Sequence, residues 1–401
     1  MRKEYIRVPY GSTVHGDEEI EAVVNVLKTS TQMSSKTEKF ETKVSKLFSK
    51  EYGLMVNSGS SALYVGIESL GLKPQSEVIT PALTFATTVG CLVKNSLVPA
   101  FVDVSPDTYC INPELILEKI TDKTKAILAP NLIGNVCQWE KLREIADKNN
   151  LVLIEDSADC LGATLNGLPT GYFTDLSITS FYGSHVINGA GNGGMLCTSD
   201  KNLYEKAKLL RSWGRSSSLF SDSESIEERF KVNLEGIEYD SKFVFEEIGY
   251  QLEPSEISAA FALIQLKKLS ENTFRRREVF NEHTKFLSEY TNWLSLPKQT
   301  ESSETGWLAY PLVINMEAPF SRRDLQIFLE NRNIQTRVVF TGNILRQPGF
   351  KSIKCVGKAD DFVVADQVMK GGMLLACHHG LNQEHLDHIH NSLKLFFSNY
   401  R

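Results

Sequence analysis

The sequence predicts an α/β fold built on a largely parallel sheet, and three observations lead to that prediction. From residue 53 onwards, short runs rich in β-branched residues alternate with amphipathic stretches. This alternation is typical of parallel strands whose connecting helices cover the sheet. The composition, 42% hydrophobic and 23% charged, is ordinary for a globular protein. The length of 401 residues is enough for two domains, at roughly 100 to 200 residues each.

The predicted strands are short and mostly apolar, at residues 53–57, 77–81, 99–104, 125–131 and 151–156. Helical patterns separate them, among them 62–67, 114–120 and 139–150. The rhythm changes after residue 175, where strand-like runs at 175–182 and 193–199 follow each other without a full helix, which indicates strands paired through a loop. The polar stretch 215–228 exceeds a usual connection and predicts a mobile surface loop, a type that often covers active sites.

The last third of the chain predicts a second, smaller domain. Two long helical patterns at 255–269 and 273–290 come first. Shorter strand-like and helix-like runs, including TRVVF (336–340), then alternate to the end. We therefore expect a large α/β domain over residues 1–252 and a small C-terminal α+β domain over residues 253–401.

Composition also narrows the function. The chain has 43 Lys and Arg against 49 Asp and Glu, without a basic tail or an acidic block, so we expect no nucleic-acid partner. The first residues lack the apolar core of a signal peptide, and no window approaches the roughly 20 apolar residues of a membrane span. We expect a cytoplasmic protein without membrane contact. The seven cysteines are scattered and never form CxxC pairs, which favours reduced thiols and no metal site.

Three segments carry residues suited to chemistry. In VNSGSSAL (56–63) a strand ends in a Ser and Gly turn that opens into a helix, which is either a phosphate cradle or a plain helix cap. Asp156 ends an apolar strand, where ligands gather in open α/β sheets. Its carboxylate suits a protonated ring nitrogen or, alternatively, a local cap or salt bridge. His185 lies in an Asn- and Gly-rich turn, as an acid/base group or as a structural hydrogen-bonding residue.

Taken together, these segments resemble the DegT/DnrJ/EryC1/StrS sugar aminotransferase family, over nearly the whole chain. The resemblance implies a type I, aspartate aminotransferase-like fold that binds pyridoxal 5'-phosphate (PLP) or pyridoxamine 5'-phosphate (PMP). It also implies that Gln251 replaces an asparagine that reaches the phosphate of the neighbouring subunit, and that Asp159 replaces a glutamine of the transaminases. The implied cofactor-binding residues are Gly59, Ser60, Ser61, Phe85, Asp156, Asp159, Ser180 and Gln251.

The sequence departs from the family at the residue that normally binds the cofactor covalently. His185 stands in place of that lysine, and no lysine occurs between Thr164 and Asp200. Because an imidazole cannot form that bond, the cofactor would be held non-covalently and His185 becomes the candidate catalytic acid/base. In this substitution the chain resembles a branch of the family, the PMP-dependent C-3 dehydratases, which deoxygenate nucleotide-linked 4-keto-6-deoxyhexoses.

That branch has two subtypes, and the cysteines separate them. One subtype binds a [2Fe–2S] cluster through four cysteines that follow an RxWGR segment. Here RSWGR (211–215) is followed by no cysteine before Cys355, so that cluster cannot form there. The other subtype, the GDP-4-keto-6-deoxy-D-mannose 3-dehydratases, works without a metal, and the chain resembles it.

The resemblance implies a mechanism and partners. His185 would remove a proton from the cofactor carbon C4′ and return it to the departing C-3 hydroxyl, while Asp156 keeps the ring nitrogen protonated. An amino donor such as glutamate would restore PMP, and the product would enter 3,6-dideoxysugar and lipopolysaccharide O-antigen synthesis. Relatives are homodimers, so a homodimer is expected. The substrate-binding candidates are Trp213, Arg215, Arg337 and Asn343.

Two alternatives stay open at this stage: an aminotransferase-like enzyme acting on similar ketosugars, and a non-catalytic sensor of the cofactor or of a sugar nucleotide. The residues do not identify the nucleotide, the hexose, the amino donor or the fate of the amine.

Overall fold

The computed structural model describes residues 5–220 and 225–400. Its strands are β1 (Tyr52–Val56), β2 (Glu77–Pro81), β3 (Val98–Val102), β4 (Thr124–Pro130), β5 (Val152–Asp156), β6 (Thr164–Leu165), β7 (Leu168–Pro169), β8 (Leu176–Ser180), β9 (Gly194–Thr198), β10 (Val232–Leu234), β11 (Ile237–Tyr239), β12 (Leu294–Ser295), β13 (Ser303–Glu304), β14 (Ala309–Ile314), β15 (Arg337–Val338) and β16 (Gly372–Ala376).

The α-helices are α1 (Asp17–Leu27), α2 (Ser35–Leu47), α3 (Gly59–Ser69), α4 (Ala86–Lys94), α5 (Trp139–Lys148), α6 (Lys201–Arg211), α7 (Ile226–Arg229), α8 (Glu256–Lys267), α9 (Leu269–Leu287), α10 (Arg322–Glu330), α11 (Val363–Gly371) and α12 (Gln383–Ser398). In the described part of the chain, no helix combines the length and apolarity that a membrane crossing requires.

The large sheet has the strand order β1-β9-β8-β5-β4-β2-β3. All pairings from β8 to β3 are parallel, whereas β9 runs antiparallel to both of its neighbours. The carboxyl ends of β1, β2, β4, β5 and β8 therefore share one edge, and β9 begins at that same edge. In open α/β sheets this edge is where ligands bind. The predicted α/β class with a mostly parallel sheet is confirmed.

Both faces of this sheet are covered, which explains the continuous apolar runs in the sequence. Ala126 and Leu128 of β4 point into one apolar core, and Ile127 and Ala129 point into a second core on the opposite face. Successive side chains of a strand alternate between faces, so a strand buried on both sides must be apolar throughout.

A second sheet, β12-β14-β16-β15, is antiparallel and lies with α9 to α12 around a third apolar core. All of its strands come after residue 293. The predicted domain boundary at residue 252 stays a prediction.

One predicted helix was wrong, and one predicted strand is shorter than expected. The helical pattern at 114–120 folds as two short 3-10 helices, Pro113–Leu115 and Leu117–Lys119. Only Ile116 of 114–120 is buried, so a longer helix would have no apolar face to pack. The strand-like run 336–340 contains β15, which is only two residues long. In the predicted loop 215–228, Ser216–Leu219 is a 3-10 helix and α7 begins at Ile226, while residues 221–224 lie outside the described residues.

Candidate active site

A cavity of about 390 Å³ opens at the carboxyl edge of the large sheet. Parallel strands place the residues that follow β1, β2, β5 and β8 beside one another, so segments far apart in sequence meet there. From the predicted set, the cavity is lined by Gly59, Ser60, Phe85, Asp156, Asp159, Ser180 and His185. Of the described residues, neither a lysine nor an arginine lines it.

The turn after β1 shapes one end of the cavity. Ser58 is the N-cap of α3, and its Oγ accepts a hydrogen bond from the Ser61 N–H at 3.1 Å. Ser61 in turn donates its hydroxyl to Asn57 Oδ1 at 2.6 Å, so it organises the turn and does not line the cavity. The first N–H groups of a helix have no acceptor within the helix, and the helix dipole favours an anion there. Gly59 and Ser60 therefore present an anion site to the cavity.

Asp156 is a buried carboxyl at the end of β5. It accepts hydrogen bonds from Thr88 Oγ1 at 2.8 Å and from the Ala158 N–H at 3.2 Å. Burial raises the pKa of Asp156, while these two donors oppose the shift. No Lys, Arg or His of the described chain forms an ion pair with it. The site therefore suits a ligand that brings its own positive charge.

His185 faces the same cavity from the turn that follows β8. Its Nδ1 lies 3.2 Å from the Ser180 carbonyl oxygen, which can only accept, so we assign the proton to Nδ1 and the lone pair to Nε2. Nε2 lies 3.8 Å from Asp159 Oδ1. Burial lowers the pKa of His185 to about 4, so the imidazole is neutral near pH 7.

Asp159 completes this group. Its Oδ2 accepts a hydrogen bond from the Ile133 N–H at 3.0 Å, on the loop that follows β4. Burial, and then the charge of Asp156, raise the pKa of Asp159 to about 7. Asp159, whose pKa is raised, thus lies next to His185, whose pKa is lowered. Neighbouring groups with shifted pKa values are typical of proton-transfer sites.

Phe85 and Ser180 form parts of the wall. Phe85 is half exposed and its ring meets Phe340 edge to face, at 5.9 Å between ring centres. The exposed face of Phe85 is available for stacking on a flat ligand. Ser180 ends β8, and its Oγ accepts from the Tyr182 N–H at 3.3 Å.

The structure does not bring every predicted residue to the cavity. Gln251 is exposed beyond it, and its backbone pairs with Ser212. Trp213 and Arg215 stack on each other, with the guanidinium 4.0 Å from the indole centre, and neither lines the cavity.

Arg337 and Asn343 also lie outside the lining. Arg337 is exposed and lies over the ring of Tyr10, a cavity residue, at 5.5 Å. Asn343 is fully buried and uses its side chain within the protein. Its Nδ2 donates to the Ala359 carbonyl at 2.8 Å, and its Oδ1 accepts from the Leu345 N–H at 3.2 Å. The role of Asn343 in the structure is thus to fix the loop after β15, since none of its polar atoms faces the cavity.

Several lining residues were missed from the sequence. Thr88 stands in the LTFATT segment, and its place three residues after Phe85 was the available sequence signal. Tyr182 and Ser184 lie between the predicted site residues Ser180 and His185, and this position in the sequence could have indicated that they line the cavity. Tyr10, Leu308 and Phe340 come from distant segments with no motif, so only the fold reveals them.

Comparisons with known proteins agree with this geometry. Residues 14–394 match the DegT/DnrJ/EryC1/StrS aminotransferase family. A lipopolysaccharide biosynthesis protein, RfbH, of Salmonella typhimurium is 34% identical over 371 residues, which cover 89% of this chain and 84% of that protein. A dTDP-4-dehydro-2,6-dideoxy-D-glucose 3-dehydratase of Saccharopolyspora spinosa is 33% identical over 399 residues, which cover 97% and 86%.

A solved structure shows the same fold. E. coli GDP-4-keto-6-deoxy-D-mannose-3-dehydratase with bound hydrated PLP superposes with a TM-score of 0.88 at 27% identity, and the match covers 97% of this chain and 100% of that one. The chain is thus similar both to sugar 3-dehydratases and to a family named for aminotransferases. These matches confirm the resemblance drawn from the three motifs and the predicted type I fold. The chain belongs to the DegT/DnrJ/EryC1/StrS aminotransferase family.

Proposed function

We propose that the protein is a cluster-free C-3 dehydratase that uses PMP, held non-covalently, to deoxygenate a nucleotide-linked 4-keto-6-deoxyhexose. The observation that carries this proposal is His185. An imidazole occupies the turn where the family has its cofactor-binding lysine, and no lysine among the described residues lines the cavity. An ordinary aminotransferase needs that lysine both to bind the cofactor and to move protons.

The residues present fit this cofactor. Asp156 is a buried carboxyl without a cationic partner, and a protonated pyridine nitrogen would supply the missing charge. Gly59 and Ser60 would hold the phosphate at the start of α3, and Phe85 would cover one face of the ring. When bound, PMP supplies an amine that condenses with the sugar ketone and a ring that withdraws electrons from the adjoining carbon.

His185 supplies the proton transfers in this proposal. Its Nδ1 proton is held by the Ser180 carbonyl, so Nε2 is the atom free to transfer protons. Nε2 would accept a proton from the cofactor carbon C4′ and deliver it to the departing C-3 hydroxyl. Because burial keeps the imidazole neutral, the base form is present at neutral pH. The Asp159 carboxyl lies 3.8 Å away, and since its pKa is about 7, both of its forms are present near neutral pH. Its ionised form would stabilise the imidazolium that forms during the transfer.

We also propose that the protein works as a homodimer. The segment between α6 and α8 exposes an unusual number of large apolar side chains: Phe220, Ile226, Phe230, Leu234, Ile237, Tyr239, Phe243, Phe245, Ile248 and Tyr250. We name this set the apolar segment. Apolar surface of this extent is typical of interfaces. It ends beside Gln251, which by family resemblance stands where relatives have an asparagine that reaches the phosphate of the neighbouring subunit.

The function is tested by incubating the purified protein with PMP and 4-keto-6-deoxyhexoses linked to GDP, dTDP or CDP, and by reading product masses. Dehydration yields a sugar nucleotide that has lost one oxygen atom, together with PLP and ammonia. Transamination instead exchanges the carbonyl oxygen for an amine and would favour the aminotransferase alternative. A protein that binds the cofactor and turns over none of these sugars would favour a sensor.

His185 variants give the sharper test. His185→Asn should retain PMP affinity and lose dehydration by about a hundredfold or more, since general acid–base catalysis contributes about 10² to 10⁴. His185→Lys should bind PLP through a bond that borohydride makes permanent, as mass spectrometry would detect, and should not dehydrate. Dehydration by His185→Asn at the wild-type rate would remove the histidine from the mechanism.

A further inference from the structure

One buried arginine ties the turn that carries His185 to the rest of the cavity wall. Arg276 of α9 is fully buried, with 0% of its surface exposed. Its Nη2 donates to the Ser184 carbonyl at 3.1 Å, one residue before His185. Its Nη1 donates to the carbonyls of Trp307 and Leu308 at 3.0 and 3.1 Å. Its Nε lies 3.2 Å from His379 Nδ1. A single guanidinium thus joins three separate segments of the chain to α9.

The surroundings of Arg276 are unusual for a buried cation. Of the ion pairs in the described part of the chain, none involves Arg276. Burial lowers the pKa of Arg276 to about 10, and Cys377, Tyr10 and Asp159 oppose the shift. A buried charge without a carboxylate partner is costly unless its donors are satisfied. Here three backbone carbonyls and the His379 imidazole accept from the guanidinium. The guanidinium therefore depends on the positions of those segments and also fixes them.

We propose that Arg276 is a positioning residue of the active site. By holding the Ser184 carbonyl it fixes the backbone that directs the His185 imidazole into the cavity, and it locks this turn against Leu308 in the cavity wall. The inference rests on the proposed role of His185 as the base. The residue itself touches neither the cavity nor the reacting atoms.

Besides positioning the turn, Arg276 affects the pKa of His185 through its positive charge. The ionisable groups that share the cavity with His185 are Asp156 at the end of β5, Asp159 just after β5, Tyr182 on the turn of His185 and Tyr10 on the N-terminal segment. Arg276 of α9 contacts the turn of His185 through the Ser184 carbonyl, from outside the cavity lining, and its Nε also contacts His379 Nδ1. For His185, burial lowers the pKa most, the Ser180 carbonyl raises it, and Arg276 lowers it further. Removing that positive charge should therefore move the titration of His185 upwards.

Arginine variants separate these contributions in the cofactor-free protein. With ¹³C-labelled histidine, the His185 signal is assigned by its loss in His185→Asn and followed against pH by NMR. In Arg276→Gln we expect the His185 pKa to rise by about half to one unit, and in Arg276→Lys, which keeps the charge, by less than half of that change. Amide exchange of residues 181–193 should accelerate in both variants, because neither side chain reproduces the three-way contact.

Arg277→Gln is the matched control. Arg277 is the next residue of α9 and points outward to Glu304 at 3.4 Å, so its loss should leave both the titration and the exchange unchanged. With PMP and substrate, Arg276→Gln should lower kcat by about tenfold or more with little change in KM, since misplacement of a reacting group costs rate more than binding.

A folded Arg276→Gln protein with the wild-type His185 titration and wild-type exchange of residues 181–193 would overturn the proposal. If this variant does not fold, a folded Arg276→Lys protein with wild-type exchange in that turn overturns it equally. Neither the titration nor the amide exchange requires turnover. Absence of dehydration in the wild type would therefore reject the proposed function alone. Dehydration by the wild type, together with an unmoved titration and unchanged exchange in Arg276→Gln, would reject this inference alone.

Discussion

The contacts of Asp156 define what the cavity can bind. A carboxyl that is buried without a cation gains most from a partner that carries a positive charge into the site. Asp156→Asn keeps the shape and the Thr88 contact but removes the charge, so we expect PMP affinity to fall by about tenfold or more, which corresponds to about 1.4 kcal/mol. Fluorescence titration of the purified protein with PMP measures this change.

Thr88→Val provides the comparison. It removes only the neutral hydroxyl that donates to Asp156 at 2.8 Å, and a neutral hydrogen bond contributes about 0.5 to 1.5 kcal/mol. Its loss of affinity should therefore be smaller than that of Asp156→Asn. Equal PMP affinity in Asp156→Asn and the wild type would show that this carboxyl does not face the ring nitrogen.

Some residues of the site could be predicted from local sequence motifs, and others could not. Asp156, Phe85 and His185 stand in local motifs, next to strand ends, and the alternation of strands and helices places strand ends at one edge. Tyr10 and Arg276 have no such signal. Their contribution depends on how the N-terminal segment and α9 pack against the turn after β8, which is a tertiary property that no local pattern encodes.

At the scale of elements, the start of α3 and the start of β9 lie unusually close. A Cβ atom at Gly194 would lie 2.3 Å from the Ser58 carbonyl carbon and oxygen. Gly194→Ala must therefore push the N-terminus of α3 away from the sheet. We expect a loss of unfolding free energy of about 1 to 3 kcal/mol and weaker binding of PMP, because the phosphate cradle moves. Urea unfolding and PMP titration measure the two effects.

Gly349→Ala is the control for this prediction, since a Cβ there meets nothing within 4 Å. It should leave stability and PMP affinity unchanged. If Gly194→Ala binds PMP as tightly as Gly349→Ala, the close approach of β9 to α3 does not shape the phosphate site.

The elements themselves were predictable where hydrophobic patterns were strong. Strand β2 was placed with its observed limits, and β4, β5, β8 and β9 to within two residues at each end. These strands are buried on both faces, so their sequences leave few alternatives. Strands β6, β7 and β13 were missed, because a two-residue strand has no periodicity and forms only where distant segments meet.

At the scale of the whole molecule, the described chain lacks a cationic side chain in the very cavity that would bind an anionic cofactor and a sugar nucleotide. A second copy of the chain, joined through the apolar segment, would complete the surroundings of that phosphate. Ile248 is the most exposed of these side chains, at 94%. We expect the wild type to be a dimer and Ile248→Asp to dissociate it, because a buried unpaired carboxylate is costly at an interface. Light scattering after gel filtration measures the mass.

Dissociation should also weaken PMP binding, since each cavity would lose its neighbour's contribution to the phosphate site. Met316→Asp is the control: Met316 follows β14, is 83% exposed and does not belong to the apolar segment, so its replacement should change neither mass nor affinity. A wild type that is monomeric while it binds PMP and turns over substrate would mean that one chain completes the phosphate site alone. The exposed side chains between α6 and α8 would then need another explanation. In the proposed dimer they are explained by the favourable free energy of burying their apolar area against a second copy.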